Sequence, residues 1–147
     1  MEIRIAKPGD EHSIIKLVKE LAEYENEPDA VFNTAENLAE DLFKRKLCEA
    51  YVAELDGQIV GFALFYTSYS TWNGACLYLE DLYVQEKYRS LKVGSKLFDQ
   101  VVQTAKDRQV RRMDWQILNW NKLAIDFYNY KNATIDDNWV NGRLFFN

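Results

Sequence analysis

Leu77-Tyr78-Leu79-Glu80-Asp81-Leu82-Tyr83-Val84-Gln85-Glu86-Lys87-Tyr88-Arg89-Ser90-Leu91-Lys92-Val93-Gly94-Ser95 changes its hydrophobic period part-way along. Up to Val84 it is rich in Leu, Tyr and Val, as a strand is. From Val93 the apolar residues Val93, Leu97, Val101, Val102 and Ala105 recur at helical spacing. Met113 to Leu118 then reads as a second strand. A strand, a crossover helix and a strand predict a parallel pair.

Upstream, Ala50–Leu55 and Gln58–Tyr69 are strand-like runs separated by Asp56-Gly57, a hairpin turn signal. A third strand, Cys76–Val84, follows the Trp72-Asn73-Gly74 turn and completes an antiparallel meander. Glu2–Ala6 alternates as a first strand, and Pro8-Gly9-Asp10 breaks it before a helix carrying Ile14, Ile15, Leu17, Val18, Leu21 and Ala22 to about Glu25. Thr34 is placed to cap a second helix with Leu38, Leu42 and Phe43 on one face and Lys44-Arg45-Lys46 at its end. Downstream, Asn121 is placed to cap a short helix bearing Ala124, Phe127 and Tyr128, and Asn132 suits a left-handed end to it. Arg143–Asn147 is expected as a last strand. The order β-α-α-β-β-β-α-β-α-β predicts an α/β protein of the mixed-sheet kind, with helices on both faces. No repeat or linker divides residues 1–147, so one domain is expected.

Composition narrows the function. With 48% apolar and 14% aromatic residues in 147, the chain can build a substantial core. A formal charge of −5 disfavours a nucleic-acid backbone as partner and mildly favours cationic ligands. His12 is the only histidine, which removes nucleophilic triads that need one, and Cys48 and Cys76 have no companions at metal-ligand spacing, so no metal is expected. The longest apolar runs are far shorter than a spanning helix and the first residues lack a signal-peptide core, so a cytoplasmic protein without a membrane partner is expected.

The quoted stretch resembles the acetyl-CoA site of the GNAT superfamily of N-acetyltransferases. The chain is most similar to the spermidine/spermine acetyltransferase group, including its thialysine-acetylating relatives, through Leu21-Ala22-Glu23-Tyr24-Glu25, Tyr78–Val84, and Asn119-Trp120-Asn121 leading to Asp126-Phe127-Tyr128. The resemblance implies a GNAT fold whose parallel strands splay. It also implies direct acetyl transfer from acetyl-CoA to a small di- or polyamine or a lysine-like amine, and a homodimer using the last strand region. Pantetheine would lie along Leu82, Tyr83 and Val84. The diphosphate would sit over Arg89, Ser90, Leu91, Lys92, Val93, Gly94 and Ser95, where helix-start N–H groups attract anions. Asn121, Lys122, Leu123 and Ala124 would line the cofactor's other side.

Catalysis is carried over to two residues. Tyr128 would protonate the leaving sulfur, although on its own a tyrosine on an amphipathic helix is more often a core aromatic. Glu80 would take a proton from the amine, directly or through water; it interrupts an apolar strand, where an unpaired carboxylate is costly to bury. Tyr24, Glu25, Glu80, Asp81, Trp72, Asp114, Trp115 and Gln116 would contact the cationic substrate.

Two departures stand out. The family's loop, Arg/Gln-x-x-Gly-x-Gly/Ala, here reads Arg89-Ser90-Leu91-Lys92-Val93-Gly94, with Ser90 and Lys92 at positions where the polyamine group has glycine. Val140 occupies the place of an acidic residue that holds the far end of a polyamine, with Asp136 and Asp137 nearby. Loss of efficient catalysis through the altered loop would leave a CoA-binding sensor, and activity on peptides alone would mark a protein acetyltransferase.

Overall fold

A computed structural model describes residues 1–146. The chain forms two compact units, one of Met1–Gln116 and one beginning at Ile117. The first holds β1 (Glu2–Ile5), α1 (Glu11–Tyr24), α2 (Ala35–Ala39, continued by a π-turn over Glu40–Lys44), β2 (Glu49–Leu55), β3 (Gln58–Ser70), β4 (Gly74–Val84), a 3₁₀ turn (Glu86–Leu91), α3 (Val93–Asp107) and β5 (Met113–Asp114). The second holds α4 (Lys122–Tyr130).

Local chemistry accounts for the element boundaries. Asp56 and Gly57 both take positive φ, 51° and 76°, which a two-residue hairpin with right-handed strand twist requires. Thr34 Oγ1 accepts from Asn37 N–H at 3.1 Å and Asn121 Oδ1 from Ala124 N–H at 3.2 Å, so both expected caps form. Asn132, at φ 65°, ends α4 as expected.

The sheet order is β1-β2-β3-β4-β5, antiparallel through β4 and parallel between β4 and β5. One face packs Val52 and Phe62 against Ile14, Leu17, Leu38 and Leu42 of α1 and α2. On the other, Tyr51 Oη and Thr104 Oγ1 of α3 are 2.7 Å apart. Helices therefore cover both faces. Among the described residues no helix is long and apolar enough to cross a membrane.

Two strands differ from expectation. β5 comprises Met113–Asp114, not Met113–Leu118, because its ladder ends after Leu77↔Met113 and Tyr78↔Asp114. An extended apolar segment becomes a strand only where a partner lies alongside, and periodicity cannot show where two strands part. The last strand expected at Arg143–Asn147 is absent over residues 143–146, where Leu144, Phe145 and Phe146 are exposed; Asn147 lies outside the described residues.

Gly61 is where β3, β4 and α3 meet. A Cβ there would fall 3.0 Å from both Tyr83 O and Val84 Cγ2 and 3.3 Å from Leu97 Cδ1. The backbone oxygen cannot move without disturbing the β3–β4 ladder. Gly61→Ala is therefore expected to destabilise by about 1–3 kcal/mol through overpacking, read as a lower Tm in scanning calorimetry.

Candidate functional site

The sheet is irregular at a point on β4. Phe65 pairs with Leu79 and Leu64 with Asp81, so Glu80 is the extra residue of a β-bulge. A bulge breaks the strict alternation of faces and re-aims side chains. Its result is an exposed Glu80 beside a half-buried Asp81.

These two carboxylates are joined by a third. Glu25 follows the C-terminal end of α1 and is half-buried. Burial, then the charges of Glu80 and Glu25, push the Asp81 carboxyl up to about 7. Burial also raises Glu25. The fold thus holds Glu80 and Glu25 close enough to oppose the ionisation of Asp81, a state that a cation would relieve.

Two tyrosines missed in the sequence border this cluster. Tyr66 and Tyr78 are cross-strand partners with ring centroids 5.3 Å apart. Burial, then the negative charge of Glu80, raises both hydroxyls, so both stay protonated hydrogen-bond donors near neutral pH. The signal available in the sequence was weak. Tyr78 lies in the quoted strand, but its pairing with Tyr66 depends on the hairpin register.

Other expected substrate residues are placed elsewhere. Trp72 is 92% exposed at the β3–β4 turn, about 20 Å along β4 from Glu80 at strand rise. Asp114 is paired with Arg112, whose Nε lies 2.9 Å away. Trp115 packs edge-on against Phe98 of α3 at 5.4 Å between centroids. Gln116 is exposed. Tyr24 and Glu25 are the expected residues that sit with Glu80 and Asp81 in one region of the unit.

The anion-binding features lie beyond Val84. β4 continues from Leu79 to Val84 after its pairing with β5 has stopped, leaving Leu82–Val84 without a strand partner on that edge, where the Val84 carbonyl accepts from Arg89 Nε. The 3₁₀ turn carries Arg89, Ser90 and Leu91, all exposed, to the start of α3. The first bond of that helix runs from Lys96 N–H to Lys92 C=O at 3.1 Å. The Val93 and Gly94 N–H groups precede it, so they point out of the helix start, where an anion is favoured.

Lys92 itself is left-handed, at φ 59° and ψ 30°. It keeps the conformation a glycine would adopt there, at a strain of about 1–2 kcal/mol. Its side chain is exposed and adds a positive charge beside those N–H groups. A diphosphate therefore fits this loop despite the lost glycine. Among the described residues no group of three or more His, Cys, Asp or Glu side chains is arranged to hold a metal ion.

In the second unit, Asn121 fixes the start of α4 and Tyr128 is buried, its ring edge-on to Phe127 at 5.1 Å. Lys122 and Leu123 are exposed, Lys122 pairing with Asp126 at 2.9 Å, and Ala124 is half-buried. A separate groove of about 630 Å³ runs between α1 and the start of α2, walled by His12, Lys16, Lys19, Glu23, Thr34 and Glu36. None of the three acidic residues lines it.

Comparison with known proteins gives a consistent picture. The acetyltransferase (GNAT) family matches residues 13–131. Thialysine N-epsilon-acetyltransferase of Caenorhabditis elegans is 34% identical over 146 residues, which is 97% of this chain and 91% of the relative. The Bos taurus protein of the same name is 41% identical over 135 residues, 86% of this chain and 79% of the relative. An aminoglycoside acetyltransferase from an uncultured soil metagenomic sample shares the fold, with a TM-score of 0.81, 20% identity and coverage of 99% of this chain and 96% of that one.

Proposed function

Because the chain belongs to the acetyltransferase (GNAT) family, we propose that this N-acetyltransferase acts on the terminal ammonium of thialysine or a similarly short diamine. The acidic cluster of Glu25, Glu80 and Asp81 carries this reading, since three opposed carboxylates favour a compact cation. The names of the relatives support the same acceptor class. Val140, in place of a polyamine-holding acid, favours the shorter amine.

Acetyl-CoA supplies the acetyl group as a thioester. The open edge of β4 at Leu82–Val84 offers backbone groups that hold an extended pantetheine as a strand would be held. The loop over Arg89–Ser95 and the start of α3 offer N–H groups and Lys92 to its diphosphate, and the resemblance also assigns Asn121–Ala124 to cofactor binding. Tyr128 donates the proton that the departing sulfur needs.

The amine must lose a proton before it can attack. The resemblance assigns that step to Glu80. The cluster supports a division of labour in which Asp81, at about 7, takes the proton, and Glu80 attracts the ammonium and keeps its neighbour's proton affinity high. Strongly interacting groups titrate together, so the apparent pKa belongs to the cluster. Thiol release from acetyl-CoA measured across thialysine, lysine, ornithine, spermidine and lysine peptides tests the acceptor. Turnover on thialysine above spermidine is expected. Activity on peptides alone would make the chain a protein acetyltransferase, and CoA binding without turnover would make it a sensor.

The protein acts in the cytoplasm as a homodimer joined through its C-terminal segment. Free Cys48 and Cys76 suit a reducing compartment. Trp139, Val140, Leu144, Phe145 and Phe146 are 83–95% exposed, an apolar load that favours a partner surface. Sedimentation of the double variant Phe145→Asp, Phe146→Asp is expected to show monomer where the parent shows dimer.

A further inference from the structure

Arg89 opens the loop that receives the diphosphate, yet its side chain turns back into the protein. Its Nε donates to the Val84 carbonyl at 3.0 Å. Its guanidinium carbon lies 5.5 Å from the centroid of the Tyr24 ring and 5.8 Å from that of Tyr83, both within cation–π range. Tyr24 ends α1 and precedes Glu25 of the acidic cluster, whereas Tyr83 and Val84 end the cofactor-facing strand.

A second set of contacts joins the same two places. Tyr83 Oη donates to Glu20 Oε1 at 3.2 Å, and Gln85 Nε2 reaches both Glu20 oxygens at 3.2 Å. Glu20 lies one turn before Tyr24 on α1. The last turn of the acceptor-side helix is therefore held to the end of β4 by hydrogen bonds at Glu20 and to the cofactor loop by the contact of Arg89 with the Tyr24 ring.

We infer that Arg89 is a positioning residue that couples cofactor binding to amine binding by clamping the cofactor loop to Tyr24. When an anion orders the loop, Arg89 stays over the Tyr24 ring and the α1 end is held with Glu25 turned toward Asp81. The amine then meets a preformed site, and by linkage the amine strengthens cofactor binding by the same factor. The clamp needs a planar guanidinium with an Nε donor, which lysine lacks although it keeps the charge. The inference rests on the proposed function, since it takes the loop as the CoA site and the cluster as the amine site.

The test is calorimetric titration of CoA into the protein with and without saturating thialysine. Wild type is expected to bind CoA at least about fivefold more tightly when thialysine is present. Arg89→Lys and Arg89→Ala are expected to reduce that ratio to about one and to raise the thialysine KM about tenfold. Tyr24→Leu should lose the coupling ratio as Arg89→Ala does, whereas Tyr24→Phe, which keeps the ring under Arg89, should retain that ratio. The Tyr24 pair carries the test if an Arg89 variant fails to fold.

Several results overturn the inference. One is a wild-type ratio of one. Another is an Arg89→Lys variant that matches wild type, which would show that charge alone is used. A third is a loss of CoA affinity of about a hundredfold with the ratio intact, which would make Arg89 a diphosphate ligand. If wild type binds no CoA, the proposed function falls and takes the inference with it. If wild type binds CoA and acetylates thialysine without coupling, the inference alone falls.

Discussion

Tyr128→Phe is expected to lower kcat by about 10²–10⁴-fold, the range that one well-placed proton transfer contributes. The substitution removes a hydroxyl and keeps the ring, so the edge-on contact with Phe127 and the burial of the side chain persist. CoA affinity should therefore stay close to the parent value. Because the proton is needed only as sulfur departs, the loss should fall on kcat and kcat/KM equally, with KM unchanged. Steady-state thiol release at pH 8, with calorimetric CoA binding alongside, checks this. An unchanged kcat would show that Tyr128 is a packing aromatic.

Asp81→Asn is expected to have the second large effect, and in two opposite directions. Activity should fall about 10²-fold or more through loss of the base, and the rise of kcat/KM with pH, centred near 7 in the parent, should disappear. Glu80→Gln should instead shift that midpoint downward, because one of the charges opposing Asp81 is gone, and should raise KM for the amine. A parent profile without an inflection between pH 6 and 8 would remove Asp81 from the base's role.

Stability should move the other way. In the folded protein Asp81 binds its proton up to about 7, whereas the unfolded chain releases it near the ordinary aspartate value of about 4. Between those values the native state holds more protons, so its stability falls as pH rises and the full penalty is present above 7. Asn carries no charge and removes that penalty. Asp81→Asn is therefore expected to raise stability at pH 8 by on the order of 2 kcal/mol, after discounting for solvent near the carboxyl. The gain should vanish below about pH 4. Comparing Tm at both pH values reads it directly, and a variant less stable than the parent at pH 8 would show that the carboxylate is favourably partnered.

Much of this architecture is legible in residue order. The meander needs only Asp56-Gly57 and the Val, Ile, Phe and Tyr runs beside it, and α1 and α3 follow from helical spacing, because these features depend on contacts a few residues apart. Thr34 and Asn121 cap their helices for the same reason. The bulge at Glu80 was not legible. It arises from the register between two strands, and a strand of alternating character looks the same with or without one extra residue. The length of β5 and the absence of a strand over residues 143–146 share that cause, since both depend on whether a partner edge lies within reach.

The candidate site divides along the same line. Tyr24, Glu25, Glu80, Asp81 and the 89–95 loop came from the family resemblance, and Glu25 and Glu80 do lie near Asp81. Trp72, Asp114 and Trp115 have chemistry that suits a cationic ligand, yet packing and pairing commit them elsewhere: Trp72 to an exposed turn, Asp114 to Arg112 and Trp115 to the face of α3. Tyr66, Glu20 and Gln85 were passed over because their partners are remote in sequence.

By itself, then, the sequence determined the order of elements, the turns and caps, the family and the identities of the groups able to move protons. Only the tertiary structure decided which carboxylate is shielded from water, and hence that Asp81 has a proton affinity near neutrality. It also decided that Arg89 lies over the rings of Tyr24 and Tyr83. Residue type sets what a group can do at its ordinary pKa. Burial and the charges brought near by long-range pairing set what it does in place, and neither is encoded in any short stretch of chain.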